Sequence, residues 1–416
     1  MKVNTNPVRG TYDYAPKQAE LREEVRQIIL RSYQNNGFSL INTPILENLE
    51  LLNGSDGGDN LKLMFKTVKR GDKLDLTKPN LTENDIVEEG LRYDLTVPLA
   101  RFYANNKENL PNPFKAIQID YSFRAERPQK GRDRQFTQCD IDIFGDASAN
   151  AEIDVLYTGL SAYSKLGFEN LVVKLNSREV LNGILKYANF NESDFSTICV
   201  SLDKLDKIGI DGVKSELFAK LPEFENSIST LLESIQDIKE NGIKVLNKYG
   251  VDDELVKKLD FVINTVNLSI PNPSYKVVFD ISIIRGQGYY TGMVFEVYSS
   301  DFSGAIGGGG RYDKMIEKII GVNVPAVGFS IGFARVCMLL DEQGKKLSKN
   351  KKLALIYDED TFEGAFKQKQ ELIKEYDISL YKRPKNIKAL LEKLQNINFD
   401  GFILYDANKT NEIKMF

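Results

Sequence analysis

A chain of 416 residues with 42% apolar and 27% charged side chains is too long for one core, and two or three packed globular units are expected. Its net charge of −4 argues against non-specific binding to nucleic acid but leaves room for a local basic face. Histidine is absent from the whole sequence, which excludes Ser-His-Asp and Cys-His catalysis, His-ligated zinc and an imidazole general base.

The opening segment MKVNTNPVRGTYDYAPK holds no apolar run able to act as a signal peptide, and no later stretch approaches the ~20 apolar residues that span a bilayer. No membrane partner is expected. Cys139, Cys199 and Cys337 share no metal-ligand spacing, so a reducing cytoplasm is the expected compartment and no dedicated metal site is foreseen. Lysine and arginine gather at 66–73, 124–134, 345–352 and 382–388, each readable as a solvated face.

Residues 17–36 read as an amphipathic helix, with Leu21, Val25, Ile28, Ile29 and Tyr33 at helical spacing between Pro16 and Gly37. An extended piece, 38–47, follows, fixed by Pro44, and 56–60 and 76–90 read as loops or polar insertions. Two stretches then alternate with period two. In 116–124, Ile117, Ile119, Tyr121 and Phe123 oppose Gln118, Asp120, Ser122 and Arg124. In 135–144, Phe136, Gln138, Asp140, Asp142 and Phe144 share one face. A sheet face that collects Gln, Asp and Arg is either a ligand floor or a solvated side.

From 176 to 270 the pattern is mostly helical, consistent with an insertion between two parts of one unit, 1–175 and 271–340. Strands are expected at 275–283, 289–298 and 326–331, with a helix at 332–341. The polar segment 341–352 reads as a linker. Beyond it, 353–416 alternates strand and helix, the mark of a small α/β domain.

The glycine pieces fail the nucleotide fingerprints: GGGG at 307–310 lacks the GK[ST] of a P-loop, and GQGYYTG at 286–292 does not open a helix. Taken alone they read as turns or close backbone contacts. Arg124, Arg285 and Arg335, from three distant segments, would together suit a polyphosphate, because guanidinium is planar, permanently charged and bidentate toward phosphate.

Five segments then become specific together. FRAERPQKGRDRQFTQCDIDIFG at 123–145 is similar to motif 2 of histidyl-tRNA synthetases, and IIRGQGYYTGMVFEV at 283–297 resembles their histidine-specific signature. GLRYDLTVPLAR at 90–101 resembles their amino-acid-binding segment, GFSLINTPILE at 37–47 their motif 1 and AVGFSIGFARV at 326–336 their motif 3. The resemblance covers residues 1–340 and implies an α+β fold, with a class II antiparallel sheet flanked by helices. It makes 1–175 with 271–340 the catalytic core, 176–270 a helical insertion and 353–416 an abbreviated anticodon-binding-like α/β domain.

The resemblance also implies roles. Arg124 would hold the α-phosphate of ATP and Phe136 would stack under the adenine, with Arg335 on its other side. Arg132 would hold the bent triphosphate, and Glu126 would lie near the adenine and a Mg²⁺ ion. Asp94, Thr96 and Gln138 would receive the α-ammonium of histidine. Asp142 and Tyr290 would bind its imidazole, with Tyr289 and Tyr312 lining the pocket. Arg285 would bridge the histidine carboxylate and the α-phosphate, making Arg124 and Arg285 the catalytic pair. Arg127 and Gln129 would touch the acceptor end of tRNA-His, unless their loop is simply mobile and charged. Such synthetases are homodimers built on the motif 1 helix and Pro44.

Three departures from the family pattern stand out. Ala334 replaces the usual motif 3 carboxylate, Asp142 is shorter than the frequent Glu, and 404–416 lacks the usual last helix. Two rivals follow: a regulatory subunit of ATP phosphoribosyltransferase, which aminoacylates nothing, and a silent paralogue sensing uncharged tRNA. A histidine-free chain that charges tRNA-His would also escape stalling when its own product runs short, and compositional drift is the alternative origin.

Overall fold

The computed structural model of the protein describes residues 3–54, 58–129, 131–284, 290–347 and 350–416. Two compact units emerge, Val8–Thr11 with Ile28–Leu339, and Met1–Pro7 with Tyr12–Gln27 and Leu340–Phe416. The expected first helix runs Pro16–Asn35. Proline suits its first turn, where an N–H would be unpaired anyway, and Gly37 turns the chain out at φ 83°.

In chain order the strands are β1 (Ser39–Leu40), β2 (Leu46–Asn48), β3 (Lys66–Val68), β4 (Val87–Leu91), β5 (Phe114–Phe123), β6 (Gln135–Phe144) and β7 (Val172–Ser177). They continue as β8 (Lys276–Phe279), β9 (Met293–Tyr298), β10 (Ala305–Arg311) and β11 (Ala326–Ile331). The main sheet has eight strands in the order β1-β5-β6-β11-β10-β9-β7-β8. Its pairings are antiparallel except at the two edges, β1 with β5 and β7 with β8. This is the antiparallel-rich, helix-flanked α+β architecture expected from the sequence.

Register decides what the sheet presents. Asp142 pairs with Gly328, and Gly328 with Gly310; one step along, Asp140 pairs with Ser330, and Ser330 with Gly308. Paired residues share a face, so two carboxylates, a hydroxyl and a row of glycines lie on one side. The opposite side carries the helix Ala149–Lys165. There Tyr163 Oη donates to the Ile306 carbonyl at 2.7 Å, and Gly159 lies against the Phe329 ring.

The glycine run 307–310 is therefore strand interior rather than turn. A Cβ at Gly307 would collide with Tyr163 Oη, and one at Gly309 with the Gly328 carbonyl. On the other face a Cβ at Gly310 would lie 2.6 Å from the Met293 carbonyl and 2.9 Å from the Tyr290 ring. At the end of β10, Arg311 turns to Glu152 on the packed helix with a two-pronged ion pair, 2.7 and 2.6 Å. Arg311 Nη1 also donates to the Asp146 carbonyl at 3.0 Å and Nη2 to that of Ser148 at 3.1 Å.

The polar face of β5 is closed from within. Gln118 accepts from the Thr43 hydroxyl at 2.9 Å and donates to the Leu95 carbonyl at 2.7 Å. The buried Arg92 donates to the carbonyls of Tyr121 and Thr43 at 2.7 and 2.8 Å and pairs with Asp120 at 2.8 Å.

The smaller sheet β2-β4-β3 replaces part of the expected loop at 76–90. Thr82 and Asp85 form a capping box that starts the turn Glu83–Ile86, and β4 follows at once. The lysine cluster nearby is neutralised locally, Lys66 by Glu83 and Lys73 by Glu88. Between Arg178 and Ser269 lie the helices Arg178–Tyr187, Phe195–Leu202, Leu205–Lys220, Glu225–Asn241 and Asp253–Ser269.

The carboxy-terminal unit holds β12 (Lys351–Tyr357), β13 (Tyr376–Lys382), β14 (Gly401–Leu404) and β15 (Ile413–Met415), in the order β13-β12-β14-β15. Only β15 is antiparallel. Leu353 and Leu355 pack with Ala365 on one face, while Ala354 and Ile356 pack with Leu394 on the other. A parallel strand covered on both sides reads as continuous apolar sequence, which LALIY does.

Candidate active site

Above the polar face of the main sheet lies a cavity of about 440 Å³. Its floor is the strip of β6 that alternation placed together: Phe136, Gln138, Asp140 and Asp142. The strip is the floor of a cavity and not a wet side, because Asp140 and Asp142 are only 4% and 3% exposed.

Arg124, Glu126, Arg132, Phe136 and Arg335 all line the cavity. The Arg124 guanidinium lies 5.0 Å from the centre of the Phe136 ring, held by donation from Nε to the Tyr93 carbonyl at 3.0 Å. Arg132 comes within 3.7 Å of Glu126. Arg335 donates to the Ala305 carbonyl, and its stem packs beside Gly131, where a Cβ would approach to 3.2 Å. Ala334 also lines the cavity.

Asp94, Thr96, Gln138, Asp142, Tyr290 and Tyr312 form the other part of the wall. Asp94 sits just ahead of the helix Thr96–Asn106 and accepts from the Val97 N–H at 3.1 Å. Asp142 accepts from the Tyr312 hydroxyl. Gly328 is what admits the Asp142 carboxyl, since any Cβ there would overlap Oδ1. The Gln138 Oε1 atom is buried and makes no hydrogen bond among the described residues.

The electrostatics favour a cation. Burial is the main cause that raises Asp94 above the ordinary carboxylate range, against lowering by the Val97 N–H and Arg124. Burial, with Asp94 adding, lifts Asp140 to about 7. Burial and then Asp140 raise Asp142 well above the ordinary carboxylate range.

Arg127 and Gln129 lie outside this cavity, exposed on the loop between β5 and β6, where Gln129 and Arg132 exchange backbone hydrogen bonds at 3.1 and 2.9 Å. Arg285 and Tyr289 fall outside the described residues. Asp140 and Ser330 are among the wall residues to which the sequence assigns no role. Period two along β6 pointed to the first, whereas Ser330 looked like part of an apolar strand until register set it beside Asp140.

Comparison with known proteins agrees with this geometry. The profile of the family described as histidyl-tRNA synthetase matches residues 10–336. The histidine–tRNA ligase of Leifsonia xyli subsp. xyli is 35% identical over 415 residues, 97% of this chain and 95% of that protein. A probable histidine–tRNA ligase of Tropheryma whipplei is 37% identical, covering 85% of this chain and 84% of its own. Among solved structures, the histidyl-tRNA synthetase from Nostoc sp. PCC 7120 superposes with TM-score 0.77 at 24% identity, covering all of this chain and 97% of the other. An ATP phosphoribosyltransferase regulatory subunit/histidyl-tRNA synthetase from Bacillus halodurans C gives TM-score 0.76 at 19% identity, over 94% and 97% of the two chains. At these identities the structures speak for the fold alone, while the sequence relatives carry the family. The chain belongs to the histidyl-tRNA synthetase family.

Proposed function

We propose that this chain activates histidine with ATP and transfers it to the 3′ end of tRNA-His, as a histidine–tRNA ligase. The observation that carries the assignment is one strand, β6, lining up an aromatic ring, an amide and carboxylates in a single buried cavity flanked by Arg124 and Arg335. The alternative of a regulatory subunit is not favoured, because relatives aligned over nearly the whole chain are ligases.

The chemistry needs no imidazole base. The histidine carboxylate is already an anion at neutral pH and attacks the α-phosphorus of ATP, forming the acyl–phosphate bond as pyrophosphate leaves. Arg124 would hold the α-phosphate, with Arg285 bridging it to the carboxylate by the resemblance of its segment. Arg132 and Arg335 would hold the outer phosphates, and Phe136 would carry the adenine. Catalysis is then in-line positioning and charge stabilisation. Mg²⁺ would enter with ATP and neutralise phosphate charge, with Glu126 the carboxylate at hand. In the second step the terminal ribose hydroxyl of tRNA attacks the acyl carbon, and AMP leaves.

Asp94, Thr96 and Gln138 would take the ammonium, and Asp142 with Tyr289, Tyr290 and Tyr312 the imidazole. Arg127 and Gln129, both exposed, would meet the tRNA acceptor end. Residues 1–175 with 271–340 would form the catalytic core, 176–270 its insertion and 353–416 the anticodon-binding-like domain. A homodimer is proposed on the face around Pro44, supported by the exposed apolar side chains of Leu40, Ile45 and Leu46. A cytoplasmic setting is proposed on the three buried free cysteines.

The deciding experiment is pyrophosphate exchange into ATP with each amino acid in turn. Exchange with histidine alone is expected. Folded protein that binds histidine yet exchanges nothing would return the assignment to the regulatory subunit.

A further inference from the structure

Asp140 lies in the middle of the β6 strip and has no part in the chemistry above. It makes two hydrogen bonds: Oδ1 accepts from the Ser330 hydroxyl at 2.5 Å, and Oδ2 from Gln138 Nε2 at 3.1 Å. The other end of that amide, Gln138 Oε1, is buried and has no hydrogen-bond partner among the described residues.

We propose that Asp140 is a positioning residue that fixes the Gln138 amide, so that its carbonyl oxygen, and not its NH₂ group, faces the amino-acid ammonium. The inference rests on the histidine-activation reading and assigns a cause to one of its contacts.

Both Asp140 oxygens are acceptors here, Oδ1 from Ser330 and Oδ2 from Gln138, and against an accepting oxygen only the NH₂ end of an amide can rest. A flipped Gln138 would set oxygen against oxygen and turn two donors toward a cationic substrate. Ser330 holds the carboxylate from its other side. The arrangement runs across two strands, because Asp140 and Ser330 are a register pair of β6 and β11. A hydroxyl at 330 and a carboxylate at 140 are thus two halves of one device, and Gln138 is its working end. The buried carboxyls of Asp94 and Asp142 line the same cavity, and a cationic ligand would stabilise their ionised forms.

The test uses the full chain and histidine-dependent pyrophosphate exchange. Asp140→Ala is expected to raise the histidine KM about tenfold or more, the size of one hydrogen bond to a charged group, with the ATP KM unchanged. Asp140→Asn should recover most of the loss, because its one amide oxygen can accept from Gln138 Nε2 while its NH₂ group donates to the Ser330 hydroxyl. Imidazolepropionate, which is histidine without the amino group, should inhibit wild type and Asp140→Ala equally. Adding Asp140→Ala to Gln138→Ala should change little, since the two residues act as one. Equal weakening of histidine and imidazolepropionate would overturn the proposal, as would additive effects in the double variant. So would an unchanged histidine KM in Asp140→Ala. A wild-type protein that exchanges with another amino acid fails the functional reading itself, whatever these variants do.

Discussion

Buried carboxylates on the two sides of the main sheet, one on the packed helix and two on β6, are treated in opposite ways. Glu152, 0% exposed, faces Arg311, 4% exposed, through two short hydrogen bonds, and the guanidinium is further tied to backbone carbonyls. Asp140 and Asp142 are as deeply buried but are held by neutral donors: a serine, an amide and a tyrosine. Burying a charge is costly unless it is paired. The first carboxylate has its cation built in and joins a strand to a helix. The others sit beside a cavity, where a ligand bearing positive charge would complete them. Burial alone does not separate architecture from function; the source of the counter-charge does.

That contrast can be tested from both sides. The largest effect is expected on the architectural side. Arg311→Leu leaves Glu152 buried without its cation and should cost about 3–5 kcal/mol in denaturant unfolding. Adding Glu152→Leu should restore most of it, since an apolar pair of similar volume is often no less stable than a buried ion pair. A single variant as stable as wild type would remove the distinction. On the ligand side, Arg124→Ala and Arg285→Ala should each lower the adenylation rate by roughly 10²–10³ with unfolding little changed. An undiminished rate in either would sink that residue's assignment.

Asp142→Asn should separate the two properties within one residue. The amide oxygen still accepts from Tyr312 and the buried charge is gone, so the free protein should melt no lower than wild type. Histidine KM should nonetheless rise about tenfold, equivalent to ~1.4 kcal/mol. The smallest effect is in pH. A carboxyl raised in the folded state stabilises fully below its unfolded value of about 4. That contribution is lost as pH climbs toward the folded value, about 7 for Asp140. The ligand-free protein should therefore lose melting temperature across this window. Asp140→Asn should lessen the slope, and saturating histidine should flatten it in wild type. A wild-type slope unaffected by Asp140→Asn would place the titration elsewhere.

Much of the site was legible because a strand writes its faces into the sequence every second residue. Phe136, Gln138 and Asp142 could be grouped before any sheet was known, and the motifs added Arg124 and Arg335. What stayed hidden is what register and distance decide. Arg311 and Glu152 lie 159 residues apart and share no local pattern. Ser330 gains its meaning only opposite Asp140, and the polar side of β5 matched that of β6 in sequence yet is filled by Arg92 and Thr43. The glycine run reads equally as a turn or a close backbone contact, and the neighbouring chain segments decide for the second. The 76–90 segment is polar because it is exposed, which conceals the capping box that orders its end.

The tight fit of Gly328 to Asp142 also limits how this pocket can drift. A Cβ at 328 would occupy the space of the Asp142 carboxyl, and one at 310 would crowd Tyr290. Neither glycine can be replaced while its neighbour keeps its present position. An alanine at 328 becomes tolerable only together with a changed residue at 142, and that change would alter the proposed imidazole contact. In descendants of this sequence the two positions should move as a pair or stay fixed.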